Sequence, residues 1–178
     1  MTSNIVEYIA NSMGKEMERV KIIAEKLKEL GSPIVKITTT SAIVVGEWVR
    51  LKCEYGCPDY GKSRTCPPYT PDAKRMREIL KEFKYSVFFT GYSHEDVRNI
   101  GIAILKYCYD LRIFKVFPLL SGRCRLCDKC NPHSCRHPQL AYPSLEACSI
   151  DVFETANRID LNLQMDGKYL HLGALLIF

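Results

Sequence analysis

The stretch YSVFFTGYSHEDVRNIGIAILKYCYDL, Tyr85 to Leu111, decides the fold. Tyr85 to Tyr92 is rich in aromatic and β-forming residues and carries no charge, which predicts a buried strand. Ser93 is placed to cap a helix. Apolar residues then recur at Val97, Ile100, Ile104, Leu105, Cys108 and Leu111, one face of a helix over 94–111. A buried strand followed by an amphipathic helix calls for a sheet with helices packed on it.

Toward the N-terminus, Thr70 as cap and Pro71 at the first helical position predict a helix to Phe83. Residues 53–71, CEYGCPDYGKSRTCPPYTP, are too rich in glycine and proline for regular structure and read as a loop. SPIVKITTTSAIVVGEWVRLKC reads as two strands, broken at Gly46 and leading into Cys53. Residues 15–30 set Met17, Val20, Ile23, Ala24, Leu27 and Leu30 on one helical face, with Gly31 as the stop. In the other direction lies a short strand, Ile113 to Leu120, which Pro118 pushes to an edge or bulge. Beyond it are a second cysteine-rich loop at 121–143, a helix from a Ser144 cap to Asn157, and tail strands Ile159–Met165 and Tyr169–Phe178 about an Asp166–Gly167 turn. The expectation is one domain over 1–178. Its class is α/β or α+β, with a mixed sheet, flanking helices and two metal-binding loops.

Composition narrows the function. At 178 residues, with 47% hydrophobic and 25% charged side chains, the chain can bury a core without staples. No apolar run has the length of a membrane span, and MTSNIVEYIANSMGKEMERV lacks the layout of an export signal, so the expected place is the cytoplasm. Nine cysteines in such a chain point to metal rather than to a disulfide framework. Hydrolase signatures and a phosphate-cradling glycine loop are missing, as is the His-x-Glu element of zinc deaminases.

Cys124, Cys127, Cys130 and Cys135 follow the spacing C-x2-C-x2-C-x4-C, which lets one tight loop wrap a cube-shaped cluster. The run resembles that of bacterial ferredoxins, apart from a longer last gap and a displaced proline, Pro138. Zinc more often joins two separated C-x2-C pairs, so a 4Fe–4S cluster is favoured and Zn is the alternative. Cys53, Cys57 and Cys66 form a second set, one ligand short of a closed site. Its fourth ligand could be Cys148, Cys108, a cysteine of the other loop, a non-cysteine group, or none. Cys108 falls on the apolar face of its helix and reads as core. Cys148 stands between core and ligand roles.

His133 and His137 suit hydrogen bonding to cluster sulfur, whereas nothing assigns chemistry to His94 or His171. Lys62, Arg64, Arg123, Arg125, Lys129 and Arg136 surround the cysteines. There they would lower thiol pKa, balance an anionic cluster, form a plain solvated rim or dock an acidic redox partner. Tyr55, Tyr60 and Tyr69 interleave with these cations as stacking platforms can, or shield metal from water. The formal charge of +5 is better explained as compensation for bound clusters than as a nucleic-acid surface.

Three functions remain at this point. One is an electron-transfer protein of anaerobic metabolism with one or two 4Fe–4S clusters and a redox protein partner. A second is an iron–sulfur enzyme with an open iron at Cys53, Cys57 and Cys66, used for Lewis-acid or sulfur-transfer chemistry on a small molecule in a pocket lined by Lys62, Arg64 or Tyr60. The third is a zinc-stabilised adaptor for protein or RNA. The first is preferred.

The stretches EWVRLKCEYGCPDYGKSRTCPPYTP and GRCRLCDKCNPHSCRHPQLAYPSLEACSIDV resemble a family of small archaeal and bacterial proteins described as predicted metal-binding proteins, a domain of unknown function. The resemblance implies metal binding at Cys53, Cys57, Cys66, Cys124, Cys127, Cys130 and Cys135. It implies no substrate.

Overall fold

In a computed structural model that describes residues 2–178, the strand read from Tyr85 onward runs Tyr85–Gly91 and every residue in it is buried. Its side chains alternate between two cores. Val87 and Phe89 enter one hydrophobic cluster and Phe88 the other. The C-terminal strand, His171–Ile177, does the same: Leu175 and Ile177 face the first cluster, and Leu172, Ala174 and Leu176 the second. A strand buried on both faces reads as a continuous apolar run, which is why its composition is so uniform.

In chain order the elements are α1 (Thr2–Glu29), β1 (Val35–Thr39), α2 (Glu47–Gly56), α3 (Ala73–Lys81), β2 (Tyr85–Gly91), α4 (His94–Asp110), β3 (Val116–Leu119), α5 (Val152–Arg158), β4 (Gln164–Met165), β5 (Lys168–Tyr169) and β6 (His171–Ile177). The main sheet has the order β1-β2-β6-β3, and β4 pairs with β5 as a small ribbon. All pairings of the main sheet are antiparallel, so α+β is the class adopted. The mixed sheet expected from sequence is reduced to one isolated parallel bridge, Leu120 to Ser144. Helices α1 and α4 cover one face through Val20, Ile23, Leu27, Val97, Ile100 and Ile104. The other face carries α3, α5 and the 145–150 segment through Met76, Leu80, Leu145, Ile150 and Ala156. Among the described residues no helix is long and apolar enough to cross a membrane.

Four local expectations change. EWVRLKC is helical, not a strand: Gly46 caps the helix and Glu47 opens it. Arg50 pairs with Glu54 one turn on, and only Val49 is buried. The β-branched run ahead of Gly46 is what makes the segment look extended. Asp72 rather than Thr70 caps α3, accepting the Arg75 amide, and Thr70 instead donates its hydroxyl to the Ala147 carbonyl. The helix expected from Ser144 to Asn157 is split into a 3-10 turn at Glu146–Cys148 and α5. Ser149 at φ 62° breaks the two apart, and Asp151 caps α5 afresh. Finally, α1 begins earlier than the predicted residue 15.

Candidate metal centre

Two groups of cysteines lie side by side at one end of the sheet. The second loop, 121–143, curls so that Cys124, Cys127, Cys130 and Cys135 line one small cavity of about 20 Å3. Ser63, Arg64, Thr65, Leu126, His137 and Ala141 complete its wall. His137 therefore stands where a donor to sulfur is expected, whereas His133 packs edge-on against Tyr69 at 5.4 Å.

Cys53 lies in the last turn of α2, and Cys57 is the residue that ends it. The chain then turns through Gly61, whose amide donates to the Pro67 carbonyl at 2.8 Å, and returns Cys66 beside the helix end. Arg50 holds that return, donating to the carbonyls of Thr70 and Pro71 at 3.4 Å. Cys57 is near enough to Cys53 and Cys66 to raise the cost of ionising both. Burial comes first and neighbouring thiols second in pushing Cys53 upward and Cys66 to about 11. The surrounding cations therefore do not lower these two thiols as expected. The cation that acts on Cys53 is Arg50, which lies outside the basic set expected from sequence, and burial outweighs it.

The two groups are tied together through Thr65. Its hydroxyl accepts the Cys124 amide at 3.2 Å, and Arg64 donates to the Pro132 carbonyl at 3.2 Å. Cys66 is thus one residue from a direct contact with the backbone of Cys124. Their surroundings differ sharply. The three-cysteine set lines a cavity of about 1010 Å3, whose other walls come from α2, the start of α4, Gly122 to Leu126 and the 146–153 segment. Of the three residues expected in such a pocket, Tyr60 is there and Lys62 and Arg64 are not. The cations that line it are Lys52, Arg98, Arg123 and Arg125. Leu126 lines both cavities, so one turn of the second loop is the partition between them.

The far wall is built by close approach. Gly122 sits at φ +65°, and a Cβ there would fall 2.8 Å from the His94 ring. His94 Nδ1 lies 2.8 Å from Ser121 Oγ, and its ring is 4.0 Å from that of His171. Partial burial, then His171, Arg125 and Arg98, push His94 below the usual imidazole range. Sequence reading gives His94 and Arg98 no role. Their spacing, one helical turn apart at the start of α4, is the available signal.

Cys148 lines neither cavity. It is 1% exposed within the Leu145–Ile150 core, where burial raises its thiol to about 12. Cys108 is likewise buried among apolar residues, and all nine cysteines are free of disulfides. Tyr55 points to solvent and shields nothing. Among the described residues, no three His, Cys, Asp or Glu side chains converge tightly enough to hold a single ion. The donor set still fits a thiolate-bound metal centre: four thiols share one cavity and three share another, with no carboxylate in the wall of the smaller one.

Fold and thiol groups together define a cysteine-rich α+β protein of the metal-binding class. The chain belongs to the family described as predicted metal-binding protein (DUF2284), which matches residues 36–178. Both thiol groups fall inside the matched region, and α1 lies outside it. No curated protein matches the chain. No solved structure matches it.

Proposed function

We propose that the chain is an iron–sulfur protein that carries out redox chemistry on a small molecule. The observation that carries this reading is the asymmetry of the two thiol groups: four around a cavity of about 20 Å3, three in the wall of one of about 1010 Å3. Cys124, Cys127, Cys130 and Cys135 would hold a 4Fe–4S cluster with every position filled by protein. Cys53, Cys57 and Cys66 would hold a second, leaving one position to a ligand from the cavity. Such groups supply electron storage at the first centre and an exchangeable coordination position at the second.

The chain's own residues do the rest. Leu126 and the Thr65–Cys124 contact keep the two thiol groups adjacent. The Arg123–Asp59 ion pair at 3.0 Å pins the second loop to the first. Neutral His94 offers the cavity a group able to accept or give a proton. A plain electron carrier needs clusters but no cavity of this size, which moves the preference from electron transfer alone to catalysis. Electrons would come from a redox protein partner, for which the exposed Lys129 and Arg136 give a basic approach. We assign the whole of 1–178 to one functional unit, at home in a reducing cytoplasm.

Zinc is the competing occupant. Zinc more often joins two separated C-x2-C pairs, whereas the run Cys124, Cys127, Cys130 and Cys135 has the close spacing that wraps a cluster. Anaerobic purification followed by iron, acid-labile sulfide and zinc analysis separates the two. Iron with equal sulfide is expected, with a broad brown absorbance. Zinc without sulfide, in protein never exposed to oxygen, would overturn the reading.

A further inference from the structure

We infer that the large cavity is a binding site for a small organic oxyanion, a carboxylate or phosphate monoester on an apolar body, whose charged head is held by Arg98 and Arg125 beside His94. The inference deepens the proposed function by naming the class of molecule that faces Cys53, Cys57 and Cys66, and it rests on that reading only for what becomes of the bound molecule.

The charge distribution in the wall points there. Four cations and four carboxylates line the cavity, and most are already committed. Arg123 is paired with Asp59 at 3.0 Å, Lys52 lies over the Trp48 ring at 4.6 Å, and Asp151 caps α5. Glu146 is close enough to Cys53 to raise the cost of ionising its thiol. Arg98 and Arg125 are different: among the described residues neither has a carboxylate within ion-pair distance. Arg98 spends Nη2 on the Arg123 carbonyl at 2.7 Å, while Nη1 is buried with no partner. A buried donor on a charged group without an acceptor is costly and calls for an explanation. His94, Arg98 and Arg125 line the same cavity, and both guanidinium groups lower the proton affinity of His94. Two guanidinium groups without carboxylate partners in the wall that also carries His94 suit an oxyanion.

The apolar part of the lining explains the body. Trp48 and Phe153 keep 46% and 61% of their surface exposed, yet both line this cavity together with Val49, Leu126, Ile150 and Val152. Large aromatic side chains left open inside a concave wall are the usual lining of a small-molecule site.

The test is calorimetric titration of anaerobically purified protein with hexanoate, hexyl phosphate and, as the uncharged control, hexanamide. At least one anion is expected to bind about tenfold more tightly than the amide, and the tighter of the two identifies the head group. Arg98→Gln and Arg125→Gln should each weaken that anion by about tenfold or more, whereas Lys106→Gln, which removes a charge from the exposed side of α4, should not. Equal affinity for amide and anions, no binding by any of the three, or wild-type affinity in both arginine variants would overturn the inference. Metal and sulfide are determined on the same samples. Zinc-loaded protein that still selects the anion through Arg98 would sink the iron–sulfur reading and leave this one standing.

Discussion

The two cysteine regions use the same donor atom to opposite ends. In the 121–143 loop one continuous stretch of chain curls on itself, and its four thiols close around about 20 Å3. In the 53–66 region a helix end and a returning loop bring three thiols together, and α4 stands back from them across about 1010 Å3. A close-spaced cysteine run brings its thiols around one cavity, since each is a short arc from the next. Cysteines from separate elements leave the remaining side to whatever the fold puts there. Here it puts a cavity with two uncommitted arginines.

The sharpest way to break this comparison is to remove one thiol from each region. Cys130→Ser and Cys57→Ser should each cost about half of the bound metal, with the other half and its spectrum retained. Loss of all metal in both variants would mean one shared centre.

The far wall of the large cavity is the next target. Gly122→Ala forces a Cβ to within 2.8 Å of the His94 ring at a backbone φ of +65°, and should lower stability in urea by about 1–3 kcal/mol. Gly56→Ala, at the end of α2 with nothing within 4 Å of a new Cβ, should stay within about 1 kcal/mol of the parent.

Cys148→Ser separates ligand from core. Metal content should be unchanged while urea stability falls by about 1–3 kcal/mol, since a hydroxyl replaces a thiol in an apolar site. A loss of metal would instead make Cys148 the missing fourth ligand.

The smallest effect concerns pH. His94 binds its proton more weakly in the folded chain than at the ordinary value of 6.5, so the unfolded chain takes up protons first as pH falls. Stability is therefore full above about pH 6.5 and declines below it, until His94 itself is protonated in the folded state. Replacement by Gln should flatten that part of the pH profile without moving its alkaline side.

Much of this is legible in the sequence, and the parts that are not have a common cause. β2, α4 and the four-cysteine loop are readable because each is specified by its own residues: a uniform apolar run, a capped amphipathic pattern, a ligand spacing. The 47–56 helix reads as a strand through a neighbour effect. The β-branched residues Ile43, Val44 and Val45 precede the Gly46 cap, and helix signals begin only after it. Ser149 in a left-handed conformation is invisible, because tertiary contacts and not its own preference place it there. A pocket beside Cys53, Cys57 and Cys66 is legible, with Tyr60 in its wall, but its far lining is invisible for the same reason. His94 and Arg98 of α4 meet Arg125 and Trp48 from distant segments only after the sheet has assembled.

The account's central claim is that one centre is closed and its neighbour open. Electron paramagnetic resonance of the dithionite-reduced protein, titrated with cyanide, tests it most directly. The account predicts two sets of cluster signals, of which one shifts with cyanide while the other stays, and predicts that Cys130→Ser loses the set that stays. Two sets that move together, or neither moving, would contradict it.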